Sequence, residues 1–480
     1  IAPAAVDGPP MAGSGRGALP LANSRPVANI PSARGVGPLH AAHDVDRRAS
    51  RARQPVGSPE MPHADAAADA ELERRFAPFA ARMRAGGVAD VVVANFRHQY
   101  ARLLAGETGY VDGSVAGPVD GVPDAAALAG YRAAGAAALA RAVVLKLTGG
   151  LGTSMGLSGP KSLIPVKAGL SFLDIIVQQV LALRAATGAR VPLVWMNSFA
   201  TQSPTRAALA LHPAVASDVP ADFVQNRVPK VRAADLAPAE WPADPEKTWC
   251  PPGHGDLYPA LVASGMLDRL LAAGYEIAFV SNADNLGATL DLDLLGYMAA
   301  EDLPFMMEVA DRTEADRKGG HLARRPDGRL ILREVAQCPP DEIDAFQDIA
   351  RYRYFNTNSI WIHLPALHAV MARGGGVIDL PLIRNRKPVD PARLDSPTVY
   401  QLETAMGAAI AVFDGARAVR VSRDRFRPVK TTSDLLGLWS DAYVLHAAGR
   451  LALHPDRAGE IPIVALAARH FGLLHDLAAR

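Results

Sequence analysis

The chain has 480 residues and a formal charge of +1 at pH 7, from 50 Lys and Arg against 49 Asp and Glu, which excludes any global electrostatic case for nucleic acid or an anionic membrane as partner. Two cysteines, Cys250 and Cys338, make neither a disulfide framework nor a metal cluster. They fit a reducing compartment, so the expected location is cytoplasmic.

Residues 1–68 are rich in Ala, Pro, Gly and Arg and nearly empty of large apolar side chains. Such a stretch cannot bury enough surface to offset its ordering entropy and reads as a disordered tail. It begins with Ile, so the chain is read as trimmed or partial, and no apolar leader core is visible. A helical N-terminal segment is expected over 69–141. Leu72, Phe76, Phe79 and Met83 repeat at helical spacing from Glu71 to about Leu104, a Gly/Asp/Pro loop fills 106–124, and an Ala-rich helix runs to about Arg141. From 142 to 440 apolar runs with β-branched residues recur at Val143–Leu145, Val191–Met196, Ile277–Val280, Phe305–Val309, Leu330–Val335 and Ser359–Leu364. Helical stretches separate several of them, as in Phe172, Ile175, Ile176, Gln179, Val180 and Leu183. Strands alternating with helices predict an α/β fold, a mixed and mostly parallel sheet flanked by helices. Residues 441–480 read as a short helical segment. No apolar run reaches the roughly 18 residues that span a bilayer.

Directly after the strand at Val143–Leu145 stands "LTGGLGTSMGLSGPKSLIPV", 147–166, with five glycines and a proline in its first fourteen positions. Amide N–H groups on a glycine loop beyond a strand make a concave anion site, because no Cβ blocks close approach. Gly149, Gly150, Gly152 and Gly156 are therefore phosphate-binding candidates, with Lys161 as a charge fixed by Pro160. A P-loop would need Gly-Lys-Ser/Thr, and here Pro160 separates Gly159 from Lys161. A dinucleotide fingerprint would need G-x-G-x-x-G, and the spacing of Gly150, Gly152 and Gly156 has one residue too many.

The same stretch resembles eukaryotic-type UTP–glucose-1-phosphate uridylyltransferases, the UDP-glucose pyrophosphorylase family. The resemblance continues through "VPLVWMNSF" at 191, "FVQNRVPKV" at 223, "WCPPGHGDLYPAL" at 249 and "FVSNADNLGATLD" at 279. It resumes in "KGGHL" at 318, "FNTNSIWI" at 355, "QLETAMGAAI" at 401 and "RFRPVKTTSDLL" at 425, in family order over about residues 71–440. Thr148 stands where the family usually has Asn, and Leu157-Ser158 where a Lys is common. The chain stops where family members continue into a C-terminal β-helix, so a β-helix is not expected, and a monomer or small homo-oligomer is.

Asp284, just past the strand Ile277–Val280, is where a nucleotidyltransferase would hold a divalent ion. Magnesium accepts one or two protein carboxylates and takes its remaining oxygens from phosphate and water. The alternative is an Asp capping the helix that follows. The resemblance implies Mg2+ on Asp284. It implies UTP contacts from Leu147, Thr148, Gly149, Gly150, Lys161, Met196, Gln225, Gly253, Asp284 and Lys430. It implies sugar-phosphate contacts from His254, Asn282, Gly320, Glu334, Asn356 and Asn358. Gln225 and Gly253 would meet the uracil, and Asn356 and Asn358 the sugar hydroxyls. Lys430 lies in a basic run with Arg423, Arg425 and Arg427, a pattern that alone reads as a solvated face. Cys250 reads as inert packing.

The implied reaction is UTP plus glucose 1-phosphate giving UDP-glucose and pyrophosphate, by in-line attack at the α-phosphorus. The attacking phosphate oxygen is already anionic, so charge neutralisation and positioning are needed and a general base is not. Lys161 and Lys430 are the expected catalytic groups. An N-acetylhexosamine nucleotidyltransferase would tend to carry an Arg in the glycine loop, where Ser154-Met155 follows Thr153. A silent binding protein would have lost Lys161, Asp284 or Lys430, and all three are present.

Overall fold

Alternation along the central strands fixes the architecture. Val143 and Leu145 point into one apolar cluster and Val144 into another. Val194 and Met196 likewise oppose Trp195. A strand buried on both faces has no solvent side, so helices must cover the sheet twice. The computed structural model, which describes residues 66–152, 155–157 and 159–479, has that arrangement.

Nine strands form the main sheet. In chain order they are β1 (Ala142–Leu147), β2 (Leu193–Asn197), β3 (Asp222–Val224), β4 (Ile277–Asn282), β5 (Phe305–Asp311), β6 (His321–Arg324), β7 (Leu330–Arg333), β8 (Tyr354–His363) and β9 (Arg417–Arg420). The spatial order is β7-β6-β8-β4-β1-β2-β3, with β5 pairing β8 and β9. β4, β1, β2 and β3 run parallel, and β8 joins them antiparallel through Ile360–His363. Every apolar run expected to be a strand lies in one, within a few residues of its ends.

The helix Phe172–Thr187 starts on a capping box, Ser171 with Asp174, and ends at Gly188 in the left-handed region. It packs with Leu292–Ala300 on the face that holds Trp195, Phe279 and Trp361. Helices Leu257–Ala263, Met266–Ala272 and Leu364–Arg373 cover the other face. Trp195 and Trp361 are fully buried, and truncating either to Ala should cost about 3–5 kcal/mol.

The N-terminal segment is less continuous than its pattern suggests. Helices Ala66–Ala85 and Asp90–Leu104 stack Phe76, Phe79, Phe96 and Tyr100 together. They pack on the three-stranded sheet of Val231–Arg232, Ile383–Pro388 and Thr398–Glu403. The Ala-rich stretch is α-helical only over Arg132–Ala138, between 3₁₀ turns. Residues 441–480 are not simply helical. Tyr443–Leu445 and Leu451–Leu453 pair as an antiparallel hairpin, its turn containing Ala448 and Gly449 at positive φ. Two short helices follow, Ala468–Phe471 and Leu474–Ala478. Apolar residues at alternate positions in runs of three carry too little pattern to separate strand from helix. The tail expected over 1–68 lies, up to residue 65, outside the described residues. No described helix is long and apolar enough to cross a membrane.

Candidate active site

Four parallel strands end side by side at Leu147, Asn197, Val224 and Asn282, and Thr148, Gly149, Gly150, Gln225 and Asp284 follow directly from those ends. Open α/β sheets bind ligands beyond the carboxyl ends of their strands. Backbone bonds carry the ladder outward: Thr148 N–H to Met196 O, 2.9 Å; Ala283 N–H to Leu147 O, 3.0 Å; Gln225 N–H to Asn197 O, 2.7 Å. The glycine loop returns on itself through Lys161 N–H to Gly150 O at 3.2 Å. Inside it, the Thr148 hydroxyl donates to Ser162 Oγ at 2.8 Å.

Asp284 stands between both lysines. Lys161 Nζ donates to its Oδ2 at 2.7 Å, and Lys430 Nζ reaches the same oxygen at 3.4 Å. The side chains of Asp284 and Lys161 are 11% and 15% exposed, whereas Lys430 is 57% exposed. Burial alone would raise the Asp284 pKa, but the Lys430 and Lys161 charges and their hydrogen bonds outweigh it and hold the carboxyl below its ordinary value. Its other oxygen, Oδ1, is buried without a hydrogen-bond partner. The helix Leu292–Ala300 is capped by Asp291, so Asp284 is free of that structural task. Among the described residues no cluster of three His, Cys, Asp or Glu could hold a metal by itself. One carboxylate with an orphaned oxygen fits a cation that takes its other ligands from phosphate and water.

On the nucleotide side, Gly149 and Gln225 meet. A Cβ on Gly149 would lie 2.7 Å from Gln225 Oε1, so the amide rests on bare backbone. The neighbour of Gln225 is clasped: Asn226 donates its N–H to Asp256 Oδ2 at 2.5 Å and its amide to Asp256 Oδ1 at 2.9 Å. Burial pushes the Asp256 carboxyl up to about 7 against those two bonds. Gly253 adopts φ +81°, and a Cβ there would overlap the Thr404 carbonyl oxygen. His254 Nδ1 accepts the Met406 N–H at 3.0 Å. Burial, and after it the Lys430 charge, lowers the His254 pKa to about 4. The ring is thus neutral at pH 7 with its proton on Nε2.

The residues expected at the sugar form a second group. A Cβ on Gly320 would overlap the Glu334 carboxylate, and Asn356 N–H donates to Gly320 O at 3.0 Å. Burial raises the Glu334 pKa, opposed by a hydrogen bond from Asn356. Asn356 Nδ2 donates to Asn358 Oδ1 at 2.9 Å, and Asn358 sits at φ +56°. Gly407, next to the His254 partner Met406, would place a Cβ 3.4 Å from Asn356 Nδ2, which joins this group to the histidine loop. Asn282 ends β4 in register with Leu147.

The basic run is not a solvated face. Arg425 pairs with Glu308, which is fully buried, at 2.7 Å; Arg423 pairs with Asp316 at 2.6 Å; and Arg427 pairs with Asp424 with its own side chain 6% exposed. Buried guanidinium groups persist only where partners receive them, and those of Arg423 and Arg425 lie more than 100 residues away in sequence. Sequence reasoning also passed over the Asn226–Asp256 clasp, Asn285 and Lys146. Lys146 lies inside the apolar strand β1 and donates to Ser281 Oγ at 2.6 Å and Ala288 O at 2.7 Å. Burial, then the Arg425 charge, lowers its pKa to about 7. A lysine inside a buried strand was a readable signal for it. Cys250 is buried, and burial raises its thiol to about 12, in keeping with packing alone.

Known proteins are similar to this chain in sequence and in fold. The family model described as UTP–glucose-1-phosphate uridylyltransferase matches residues 93–480. The probable UTP–glucose-1-phosphate uridylyltransferase of Schizosaccharomyces pombe is 43% identical over 343 residues, covering 71% of this chain and 66% of that protein. The Solanum tuberosum enzyme is 41% identical over 371 residues, 76% of each chain. The aligned stretch thus spans about two thirds to three quarters of those relatives' length. Among solved structures, a UDP-glucose pyrophosphorylase mutant from Leishmania major bound to UDP-glucose matches at TM-score 0.78 and 42% identity, covering 84% of this chain and 86% of that one. The Trypanosoma brucei enzyme matches at TM-score 0.78 and 46% identity, covering 84% and 87%. On the family match and these identities, the chain belongs to the UTP–glucose-1-phosphate uridylyltransferase family.

Proposed function

We propose that this chain performs its family's reaction, moving UMP from UTP to glucose 1-phosphate with release of pyrophosphate, on the surface built around Asp284. The observation that carries the reading is the convergence of Lys161 and Lys430 on one buried carboxylate at the strand ends. Two polyanions must meet there, and their mutual repulsion has to be neutralised before a phosphate oxygen can approach a phosphorus.

Each residue has a task in this reading. Backbone at Leu147, Thr148, Gly149 and Gly150, with Met196, lies along the nucleotide. Gln225 presents a donor and an acceptor to the uracil edge, beside Gly253. His254, held as the Nε2–H tautomer by Met406, donates to the sugar phosphate. A neutral donor orients that phosphate without pairing its charge and leaves the attacking oxygen nucleophilic. Asn282, Gly320, Glu334, Asn356 and Asn358 take the sugar hydroxyls. Lys161 exchanges Asp284 for triphosphate oxygens, and Lys430, the more exposed cation, follows the charge that develops as pyrophosphate leaves. Asp284 Oδ1 is the expected ligand of Mg2+, which when bound adds positive charge at the reacting phosphates.

Two buried free thiols support a cytoplasmic location, and a monomer or small homo-oligomer is the expected assembly. The test is direct. The chain is incubated with UTP and magnesium and a panel of sugar 1-phosphates, and the product is identified by mass. UDP-glucose with stoichiometric pyrophosphate from glucose 1-phosphate supports the reading. Preference for an N-acetylhexosamine phosphate, or no product with any sugar, contradicts it.

A further inference from the structure

Asn285 follows Asp284 directly, and its side chain faces the segment that ends in Lys430. The Arg427 N–H donates to Asn285 Oδ1 at 2.9 Å, and Asn285 Nδ2 donates to Arg425 O at 3.0 Å. The residue is 2% exposed. One amide therefore satisfies a donor and an acceptor two residues apart on a strand-like stretch 140 residues away in sequence. The backbone adds Val429 N–H to Asp284 O at 3.1 Å and an antiparallel bridge between Asn285 and Pro428. Gly287 closes the seam, since a Cβ there would overlap the Asp424 carbonyl oxygen. Beyond Lys430 the chain is held again: Lys430 N–H and Thr431 N–H both donate to Asp434 Oδ2 at 2.8 Å, in the capping box of the helix Thr432–Trp439.

Lys430 is thus the exposed tip of a segment fixed on both sides. Its side chain is more than half exposed and makes one long contact, so nothing at its own end places it. We propose that Asn285 is the positioning residue of this site: its two hydrogen bonds set where the Lys430 ammonium stands relative to Asp284. The inference rests on the reading of Lys430 as a group acting on the reacting phosphates. Loss of the amide frees the Arg427 N–H and the Arg425 carbonyl, and also the Gly287 N–H that donates to the same Oδ1 at 3.3 Å, and lets the 425–430 segment drift, without altering either charge. Misplacement of about 1 Å at a reacting centre can lower a rate about 10²-fold.

The experiment is a double-mutant cycle with Asn285→Ala, Lys430→Ala and both together, reading kcat, KM for UTP and the thermal midpoint. Asn285→Ala should lower kcat about 10- to 100-fold and change KM for UTP by less than about threefold. In the Lys430→Ala background the same substitution should lower kcat less than about threefold, because the two act through one group. Should Asn285→Ala fold poorly, Asn285→Ser runs the same cycle, its hydroxyl keeping one of the two bonds. Equal losses in both backgrounds, or an unchanged kcat, would overturn the inference while leaving the role of Lys430 intact. A Lys430→Ala variant with parent kcat would instead remove the reading on which the inference stands.

Discussion

Lys161 Nζ lies 2.7 Å from Asp284 Oδ2, an ion pair between the end of a glycine loop and the end of a strand 123 residues later. Both partners are largely buried, and Lys430 draws on the same oxygen from the solvent side. A carboxylate shared by two cations in this way is held ionised without a substrate. Lys161 is therefore held at the site by its carboxylate before the phosphates arrive, while Lys430 keeps only its long contact.

The two lysines should separate from ordinary binding residues in steady-state kinetics. Lys161→Ala and Lys430→Ala should each lower kcat by more than they raise KM for glucose 1-phosphate, since a contact made mainly in the transition state lowers turnover. Lys161→Ala also leaves Asp284 buried with one cation fewer, so its carboxyl pKa should rise. A rise in KM alone, with kcat unchanged, would make that lysine a binding group.

His254 should be neutral throughout the physiological range. Nitrogen-detected NMR should find its pKa near 4 and its proton on Nε2, because burial and the Lys430 charge disfavour the imidazolium and Met406 occupies Nδ1. The unfolded chain takes up that proton near 6.5 and the folded chain only near 4, so this residue removes stability as pH falls between those values. His254→Gln should accordingly lose less thermal stability than the parent on going from pH 7 to pH 4.5. A pKa close to 6.5, or an Nδ1–H tautomer, would contradict the assigned donor role.

Base choice should respond to Gly149 as well as to Gln225. Gln225→Ala should lower the preference for UTP over CTP about ten- to a hundredfold, the worth of one or two hydrogen bonds. Gly149→Ala places a methyl group 2.7 Å from Gln225 Oε1, at the free end of a flexible side chain. The fold can absorb that by moving the amide, so the preference should fall while the thermal midpoint holds. The ratio of kcat/KM values for the two nucleotides checks both variants. An unchanged ratio in both would mean that this amide does not read the base.

Much of this site was open to reading before any coordinates. Apolar runs located three of the four parallel strands whose ends carry it and missed the short Asp222–Val224, and the glycine stretch with Lys161 pointed to phosphate by its own chemistry. Asp284 alone was ambiguous between metal and helix cap, and the cap of the following helix falls to Asp291. Asn285, Asn226 and Asp256 were invisible for one physical reason. Asp256 and Asn285 are buried and Asn226 half-buried, and the satisfaction of each depends on a partner 30 or 140 residues away that no local period records. The arginines at 423 and 425 read as solvent-facing for the same reason. Their partners Asp316 and Glu308 sit on other elements. The hairpin at 443–453 was missed because runs of three residues carry no usable alternation.

Asp284 is the residue where the glycine-loop lysine and Lys430 meet and where the proposed Mg2+ would bind, and its replacement tests the account most directly. Turnover of UTP and glucose 1-phosphate is measured for the parent and for Asp284→Asn across a magnesium titration, with thermal midpoints recorded alongside. The Asn side chain keeps the shape and removes the charge. The expected result is an intact fold, a kcat lower by about 10²-fold or more, and a weakened response to magnesium. Turnover within about threefold of the parent at saturating magnesium, where such a contact should be worth several kcal/mol, would contradict the central claim.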